Sequence, residues 1–199
     1  DPTNTVEVEI QYTPVDLVII DLDPTSIGQA LKSALENVYD GGIEIASSID
    51  EYNLDGMSAV FVLLGIYSNN TMIMPGQETP LIDYINSGGN LYMEGSDMWY
   101  FDPQFMDAYD FGPHFGIVSD ADGSGDLSQV VGYNFLEGLN WSYSGENNWI
   151  DHIEPTGNAM SIFRNDQIGY GCGVANDAGN YKTVGTSFEI TGLGGNSSL

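Results

Sequence analysis

The sequence has very few basic side chains. Its 199 residues include 3 lysines and arginines against 29 aspartates and glutamates, so the formal net charge at pH 7 is −26. A field of that sign repels nucleic acid and anionic lipid, and we expect neither as a partner. Lys32, Arg164 and Lys182 are also too few to form a phosphate-binding patch. The surface therefore favours a saline or calcium-rich external medium, which would relieve its self-repulsion.

Cysteine and long apolar segments are equally scarce. Cys172 is the single cysteine, so the chain can form neither an internal disulfide nor a multi-cysteine metal site. Its apolar, glycine-rich surroundings predict a small buried core residue. No run of about 18 apolar residues is present, and we expect no membrane insertion.

The first half of the sequence alternates between strand and helix patterns. Asp23 is predicted to cap a first helix, with Pro24 at its first position and Gly41 after its end. Thr79 is predicted to cap a second helix that ends at Gly88. Short apolar runs predict buried strands at 15–20, 43–49, 59–65 and 91–93. This alternation predicts right-handed crossovers and a parallel sheet covered by helices.

The second half is less regular, with aromatic residues at 98–115 and a glycine- and asparagine-rich stretch at 117–157. Three further strands are predicted at 160–163, 168–175 and 183–190. We expect residues 1–13 to form a linker or an edge strand, and residues 14–199 to form a single α/β domain. Its sheet should be mainly parallel, with antiparallel additions from the second half.

Two segments carry a family resemblance. The strand AVFVLLG (59–65), a helix, and then GGNLYMEGSD (88–97) resemble the core of class I glutamine amidotransferase-like domains, which have a flavodoxin-like fold. In that superfamily the residue after the second strand is the catalytic cysteine, and Gly95 stands at that position here. Glycine cannot act as a nucleophile. The resemblance therefore implies a flavodoxin-like three-layer sandwich in a non-catalytic version.

Such non-catalytic versions are found inside large secreted bacterial proteins. The resemblance implies a structural or ligand-binding module of an extracellular or cell-surface protein, and a fragment of a longer polypeptide. Its expected partners are other domains of the same polypeptide or further copies of itself.

In an open α/β sheet, ligands collect beyond the carboxyl ends of the strands. The residues expected to line that crevice are Asp21, Asp23, Gly65, Glu94, Gly95, Ser96 and Asp97. Their acidity favours a cation or a polyhydroxyl ligand, although the same residues could be helix caps and turn formers with no ligand.

A calcium site is predicted in the segment DADGSGDLS (120–128). Its alternating oxygen-bearing side chains match the first nine positions of an EF-hand loop. Val131 takes the twelfth position, where a bidentate acid is required, so the affinity should be modest. An acidic surface turn without metal would show the same pattern. The candidate ligands are Asp120, Asp122, Ser124, Asp126 and Ser128.

Two catalytic alternatives remain open. The segment DLDPT (21–25) follows an apolar strand and resembles the first motif of haloacid-dehalogenase-type phosphatases, which implies Asp21 as nucleophile, Asp23 as proton donor and Mg²⁺ as cofactor. Pro24 and the lack of a later acidic pair depart from that pattern. Alternatively, His152 and Glu154 have the spacing of a base and its orienting carboxylate, and Cys172 could then serve as the nucleophile of a hydrolase.

Carbohydrate is a further candidate ligand. Aromatic side chains mixed with asparagine and aspartate can form a sugar platform, and they can equally pack as core beneath loops. The aromatic residues considered for this role are Trp99, Tyr100, Trp141, Tyr143 and Trp149.

Overall fold

The structure, a computed structural model, describes residues 14–196 of the chain. The segment 1–13, predicted as a linker or edge strand, lies outside the described residues. The described strands are β1 (Val15–Asp21), β2 (Gly42–Ala46), β3 (Ala59–Leu63), β4 (Asn90–Glu94), β5 (Ile117–Ala121), β6 (Gln129–Gly132), β7 (Asn140–Tyr143), β8 (His152–Pro155), β9 (Met160–Asn165), β10 (Tyr170–Asp177), β11 (Lys182–Thr186) and β12 (Leu193–Asn196). The helices are α1 (Gly28–Leu35), α2 (Thr79–Asn86), α3 (Phe101–Phe105) and α4 (Gly112–Phe115), with 3₁₀ turns at Asn134–Leu136 and Ile190–Gly192.

Ten strands form one mixed sheet in the order β12-β7-β6-β9-β10-β11-β4-β3-β1-β2. The strands from β11 to β2 are parallel to their neighbours. From β11 outward to β12 every pairing is antiparallel. β5 and β8 form a separate two-stranded sheet. The predicted α/β class, with a parallel part and antiparallel additions, is confirmed.

The parallel strands have a recognisable order. Counted along the chain they are β1, β2, β3, β4 and β11, and across the sheet they run second, first, third, fourth, fifth. This is one of the two common orders of doubly wound α/β sheets. The order reverses between β1 and β3, so a crevice is expected beyond their carboxyl ends.

The core of the parallel half follows from the alternation of side chains along β1. Val18 and Ile20 belong to an apolar cluster that includes Leu81 of α2. Leu17 belongs to a separate cluster with Leu31 of α1. Because neighbouring residues of a strand point to opposite faces, one helix packs on each face of the parallel sheet. The near-continuous apolar sequence of β1 reflects this two-sided burial.

Helix α1 begins later than predicted. Asp23 does not cap it, because its Oδ1 accepts the N–H of Thr25 at 2.7 Å in a tight turn. Ser26 then adopts a left-handed φ of 59°, which is incompatible with a helix. The helix starts at Gly28, whose N–H donates to Asp21 Oδ2 at 2.9 Å. The preference of aspartate for local backbone bonds was therefore assigned to the wrong turn.

Other element ends also differ from the predictions. Helix α1 ends at Leu35, and Val38 beyond it is 83% exposed. Thr79 is the first residue of α2, and Glu78 stands at its N-cap. The last predicted strand stops at Thr186 and is followed by the 3₁₀ turn. No helix within residues 14–196 is long and apolar enough to cross a membrane.

The chain between β4 and β9 brings distant segments to the carboxyl end of β4. The N–H of Asp151 donates to the carbonyl of Ser96 at 3.1 Å, and the N–H of Ile150 donates to that of Ser124 at 3.4 Å. These bonds place the segment before β8 between the turn after β4 and the loop after β5. The irregular second half thereby builds the walls of a site on the regular first half.

Candidate functional site

Ser96 lies at the end of β4 and joins three loops. Its hydroxyl accepts a hydrogen bond from the N–H of Tyr67 at 3.0 Å. Its N–H donates to the carbonyl of Gly65 at 3.3 Å, and its carbonyl accepts the N–H of Asp151. The loops that follow β3 and β4 and precede β8 therefore meet at this point.

Three aspartates converge beside this turn. One carboxylate oxygen from each of Asp97, Asp122 and Asp151 lies within 4.8 Å of the other two. Asp97 is 2% exposed and Asp151 is fully buried, while Asp122 is partly buried. Each of the three has one buried oxygen without a hydrogen-bond donor among the described residues. Since a buried charge is unfavourable unless it is paired, this arrangement requires protons or a cation.

Asp151 is oriented by backbone donors from the loop after β4. Its Oδ2 accepts the N–H of Trp99 at 3.0 Å and that of Tyr100 at 2.8 Å. Trp99 is itself anchored, because its indole N–H donates to the carbonyl of Thr186 at 2.9 Å. Oδ1 of Asp151 is then left without a donor among the described residues. The loop thus fixes one oxygen and leaves the other free for a ligand.

Burial makes these carboxyl groups weaker acids. It raises the pKa of Asp151 to about 9, with further increases from the charges of Asp97 and Asp122 and a decrease from the backbone donors. Burial, followed by the charges of Asp102 and Asp122, raises the pKa of Asp97 to about 7. Burial also raises the pKa of Asp122. Without a cation, protons must offset part of the negative charge at neutral pH.

The three lysine and arginine side chains are paired elsewhere: Lys32 with Glu36 at 3.2 Å, Arg164 with Glu154 at 2.8 Å, and Lys182 with Asp177 at 3.2 Å. The neighbouring base is His152, whose charge lowers the pKa of Asp122. Its ring stacks on Tyr170 with centroids 3.9 Å apart. The aspartates therefore lack the fixed cation that a buried acidic group ordinarily has.

An open cavity of about 190 Å³ leads to the aspartates. Its walls are Tyr67, Phe101 and Trp149, and it is also lined by Asp97 and Asp122. Tyr67 is 47% exposed and Trp149 is 44% exposed. The cavity therefore combines an acidic floor with aromatic surfaces that a ligand can reach.

A second group of acids is buried at the same edge of the sheet. Asp23, Glu94 and Glu189 are each at most 3% exposed, and each has one oxygen without a donor among the described residues. Burial raises the pKa of Glu94 to about 8. It raises the pKa of Glu189 to about 7, and the charge of Asp23 raises it further. Protonation is the direct way to accommodate these groups.

The predicted crevice residues are divided between the two acidic groups. Asp97 belongs to the first, and Asp23 and Glu94 belong to the second. Gly65 lies against the second group, since a Cβ there would be 3.0 Å from Asp23 Oδ1. Asp21 caps α1 and lines a separate depression. The predicted residues are therefore clustered at one edge of the sheet, but they do not form one pocket.

Gly95 occupies the position that the resemblance assigns to a nucleophile. Its φ lies outside the left-handed region. A Cβ at this position would lie 3.1 Å from Leu64 Cβ and 3.4 Å from Met98 Sδ. The structure thus provides little space for a longer side chain at this turn.

The predicted calcium loop does not bring its side chains together. Asp122 points to Asp97 and Asp151, which lie outside the loop. The other four residues bond locally or face solvent: Asp120 is exposed, Ser124 donates to Asp126 at 2.6 Å, and Ser128 donates to Gln167 at 2.9 Å. The sequence therefore identified Asp97 and Asp122 as candidates in separate motifs and missed Asp151. Its one local signal is an acid between two buried apolar residues, Ile150 and Ile153.

The residues of the cysteine-hydrolase alternative lie in different environments. Cys172 is fully buried in an apolar cluster, and burial raises the pKa of its thiol. Glu154 accepts hydrogen bonds from Arg164 at 2.8 and 3.0 Å. Among the described residues, no hydrogen bond joins Cys172 to His152 or Glu154.

Most of the predicted aromatic platform is not a platform. Trp99 and Tyr143 are buried in the core, and the ring of Trp141 packs edge-on against Phe163 at 5.7 Å. Trp149 is the member that lines the cavity, together with Tyr67 and Phe101. These last two come from separate loops and share no sequence pattern with Trp149.

No family model and no curated protein sequence match the chain. Solved structures do resemble it. An exo-β-1,4-mannosidase from Opitutaceae bacterium strain TAV5 has a TM-score of 0.61 and 11% identity over 90% of this chain and 32% of its own. A cold-adapted β-galactosidase from Rahnella sp. R3 has a TM-score of 0.60 and 13% identity over 89% of this chain and 29% of its own. The chain thus spans about three tenths of either glycosidase.

A protein from Thermoplasma acidophilum, provisionally assigned to GMP synthase as its class I glutamine amidotransferase component, is similar in length. Its TM-score is 0.55 with 13% identity, over 92% of this chain and 88% of its own. At this level of identity the likeness shows a shared fold. The chain has an α/β fold that is also found in a class I glutamine amidotransferase and within larger glycosidases.

Proposed function

We propose that this chain is a non-catalytic ligand-binding module that holds a calcium ion through Asp97, Asp122 and Asp151. The observation that carries the proposal is the convergence of three carboxylates whose oxygens lie within 4.8 Å of one another, each with a buried oxygen that has no donor among the described residues. A divalent cation satisfies all three carboxylates at once and removes their mutual repulsion.

The chemistry of the donors favours calcium. Carboxylate oxygens suit Mg²⁺, Ca²⁺ and Mn²⁺, whereas softer metals prefer nitrogen and sulfur ligands. Calcium accepts six to eight oxygen ligands in variable geometry. The three aspartates come from three separate loops, and the cavity leaves room for further oxygen ligands. Such a site suits a tolerant ion better than Mg²⁺, which demands a near-ideal octahedron.

The scaffold is proposed to be that of class I glutamine amidotransferase-like domains, a flavodoxin-like three-layer sandwich. The strand order of the parallel half and the helix on each of its faces support this proposal. Gly95 at the nucleophile position and the burial of Cys172 support a non-catalytic role. The module is then expected to bind a ligand and not to transform it.

The setting is proposed to be the outside of a bacterial cell, within a secreted or cell-surface protein. A net charge of −26 is compatible with a medium rich in salt and calcium. Extracellular calcium modules bind with dissociation constants on the order of 10⁻⁴–10⁻³ M, which suits a site with three protein carboxylates. Other domains of the same polypeptide, or further copies of the chain, are the proposed protein partners.

The proposal is tested by thermal unfolding and calorimetric titration with calcium, compared with chelator. Calcium at 100 times its dissociation constant should stabilise the chain by about 2.7 kcal/mol. Asp151→Asn and Asp97→Asn should abolish this increase in Tm. Asp120→Asn is the matched control, since it removes an exposed carboxylate from the same region and should retain the full response. Because each variant relieves charge repulsion, the relevant quantity is the calcium-induced difference within one variant.

An unchanged Tm in calcium and no heat of binding would refute the proposal. A response that survives Asp151→Asn but is lost in Asp126→Asn would place calcium in the predicted loop instead. Either result would separate the converging aspartates from the EF-hand-like segment.

A further inference from the structure

The cavity above the aspartates has an aromatic rim, formed by Tyr67, Phe101 and Trp149. The rim is connected to the acidic floor. The backbone N–H of Tyr67 donates to Ser96 Oγ, and the side chain of Asn148 donates to the carbonyl of Tyr67 at 3.2 Å. The residues that carry the rim are therefore fixed relative to Asp151, whose N–H is bound to the carbonyl of Ser96.

A calcium ion on this floor would have an incomplete shell. Three monodentate aspartates supply three oxygens, and calcium takes six to eight. The remaining positions face the cavity, because the protein oxygens lie on its floor. A ligand there can contribute oxygen atoms to the ion while its remaining surface lies against aromatic rings.

The charge balance restricts the chemistry of that ligand. With calcium bound, most of the negative charge of the floor is neutralised, so an organic cation gains little. The remaining walls are aromatic, and they favour a ligand with an apolar face. A neutral molecule with adjacent hydroxyl groups on one edge and a C–H face on the other fits both requirements.

We propose that the cavity binds a pyranose ring, whose vicinal hydroxyls complete the calcium shell while its C–H face packs against Trp149. The inference rests on the proposed calcium site. A volume of about 190 Å³ accommodates one sugar ring, with the neighbouring residues of a longer glycan in solvent. Trp149 has a φ of 51°, an uncommon conformation for a bulky residue, and this directs the chain at the rim.

The test titrates the 199-residue chain with methyl α-D-glucopyranoside, methyl α-D-mannopyranoside and methyl β-D-galactopyranoside, which together present trans and cis pairs of ring hydroxyls. Binding is measured by calorimetry in calcium and in chelator. At least one glycoside should bind with a millimolar dissociation constant in calcium, and chelator should abolish its binding. Trp149→Ala should weaken binding about tenfold, as expected for the loss of one aromatic contact. Phe135→Ala, which removes an aromatic ring that is 66% exposed outside the cavity, is the control and should bind normally.

The calcium-induced rise in Tm, measured on the same samples, shows that each variant is folded and loaded. If calcium stabilises the chain but none of the glycosides binds, the sugar inference is overturned and the calcium site stands. If calcium itself has no effect, both are overturned. Glycoside binding that persists in chelator, or is unchanged in Trp149→Ala, would also overturn the inference.

Discussion

Replacing Glu94 by glutamine should remove a pH-dependent loss of stability. Glu94 is 1% exposed, and burial, together with the charges of Glu189 and Asp23, raises its pKa from the ordinary 4.5 to about 8. Between these two values the unfolded chain ionises this group while the folded chain keeps it protonated. The free energy of unfolding therefore falls as pH rises from about 4.5 to about 8, and this contribution is constant above that range.

The size of the effect follows from the two pKa values. Each pH unit between 4.5 and about 8 corresponds to about 1.4 kcal/mol, so ionisation of Glu94 lowers stability by at most about 5 kcal/mol at high pH. The amide of glutamine does not ionise. Its oxygen can accept the bonds that Tyr92 and the N–H of Ile190 now donate to Glu94 Oε2. Its NH₂ group replaces the oxygen without a donor and can donate to a neighbouring carboxyl group.

The assay is urea unfolding at pH 5, 7 and 9, at constant salt and in chelator. The difference in unfolding free energy between Glu94→Gln and the unmodified chain should be small at pH 5 and reach several kcal/mol in favour of the variant at pH 9. Glu44→Gln, an exposed position on β2, is the control for the change in net charge. Its difference should stay within about 0.5 kcal/mol at all three pH values. A difference for Glu94→Gln that does not grow with pH would refute the reasoning.

Two further predictions test the catalytic alternatives. Cys172 is fully buried and burial raises its pKa, so iodoacetamide should leave it unmodified in the folded chain and alkylate it completely in urea; rapid alkylation without urea, measured by mass spectrometry, would favour the hydrolase. Asp21 Oδ2 caps α1 through Gly28, so Asp21→Ala should cost about 1 kcal/mol and Asp21→Asn, which keeps an acceptor, much less. With Mg²⁺, neither the unmodified chain nor Asp21→Asn should hydrolyse p-nitrophenyl phosphate, and a rate that disappears in Asp21→Asn would support the phosphatase.

The parallel half of the fold could be predicted because its information is local. Strands such as β1 and β3 are continuous apolar runs, and α2 combines apolar spacing with Pro80 in its first turn. The start of α1 could not be predicted, because Asp21 and Asp23 are both plausible caps. The left-handed conformation of Ser26 decides between them, and that conformation depends on tertiary packing.

The candidate site was only partly predictable, for a related reason. The turn after β4 was expected at the sheet edge, and Asp97 was expected within it. Asp122 and Asp151 reach Asp97 because the loops after β5 and before β8 are joined by backbone bonds. No periodic pattern encodes a contact between loops that lie so far apart along the chain. Tyr67 and Phe101 reach the cavity in the same way.

The two acidic groups solve one physical problem differently. A chain with 3 basic residues cannot pair its buried carboxylates with lysine or arginine, so each group must take up protons or a mobile cation. Asp23, Glu94 and Glu189 are almost completely inaccessible, which favours protons. Asp97 and Asp122 line an open cavity, which allows calcium to enter. If this division is right, the stabilisation of Glu94→Gln at pH 9 should be the same in calcium and in chelator. An effect of Glu94→Gln that disappears on adding calcium would instead show that the ion occupies the second group.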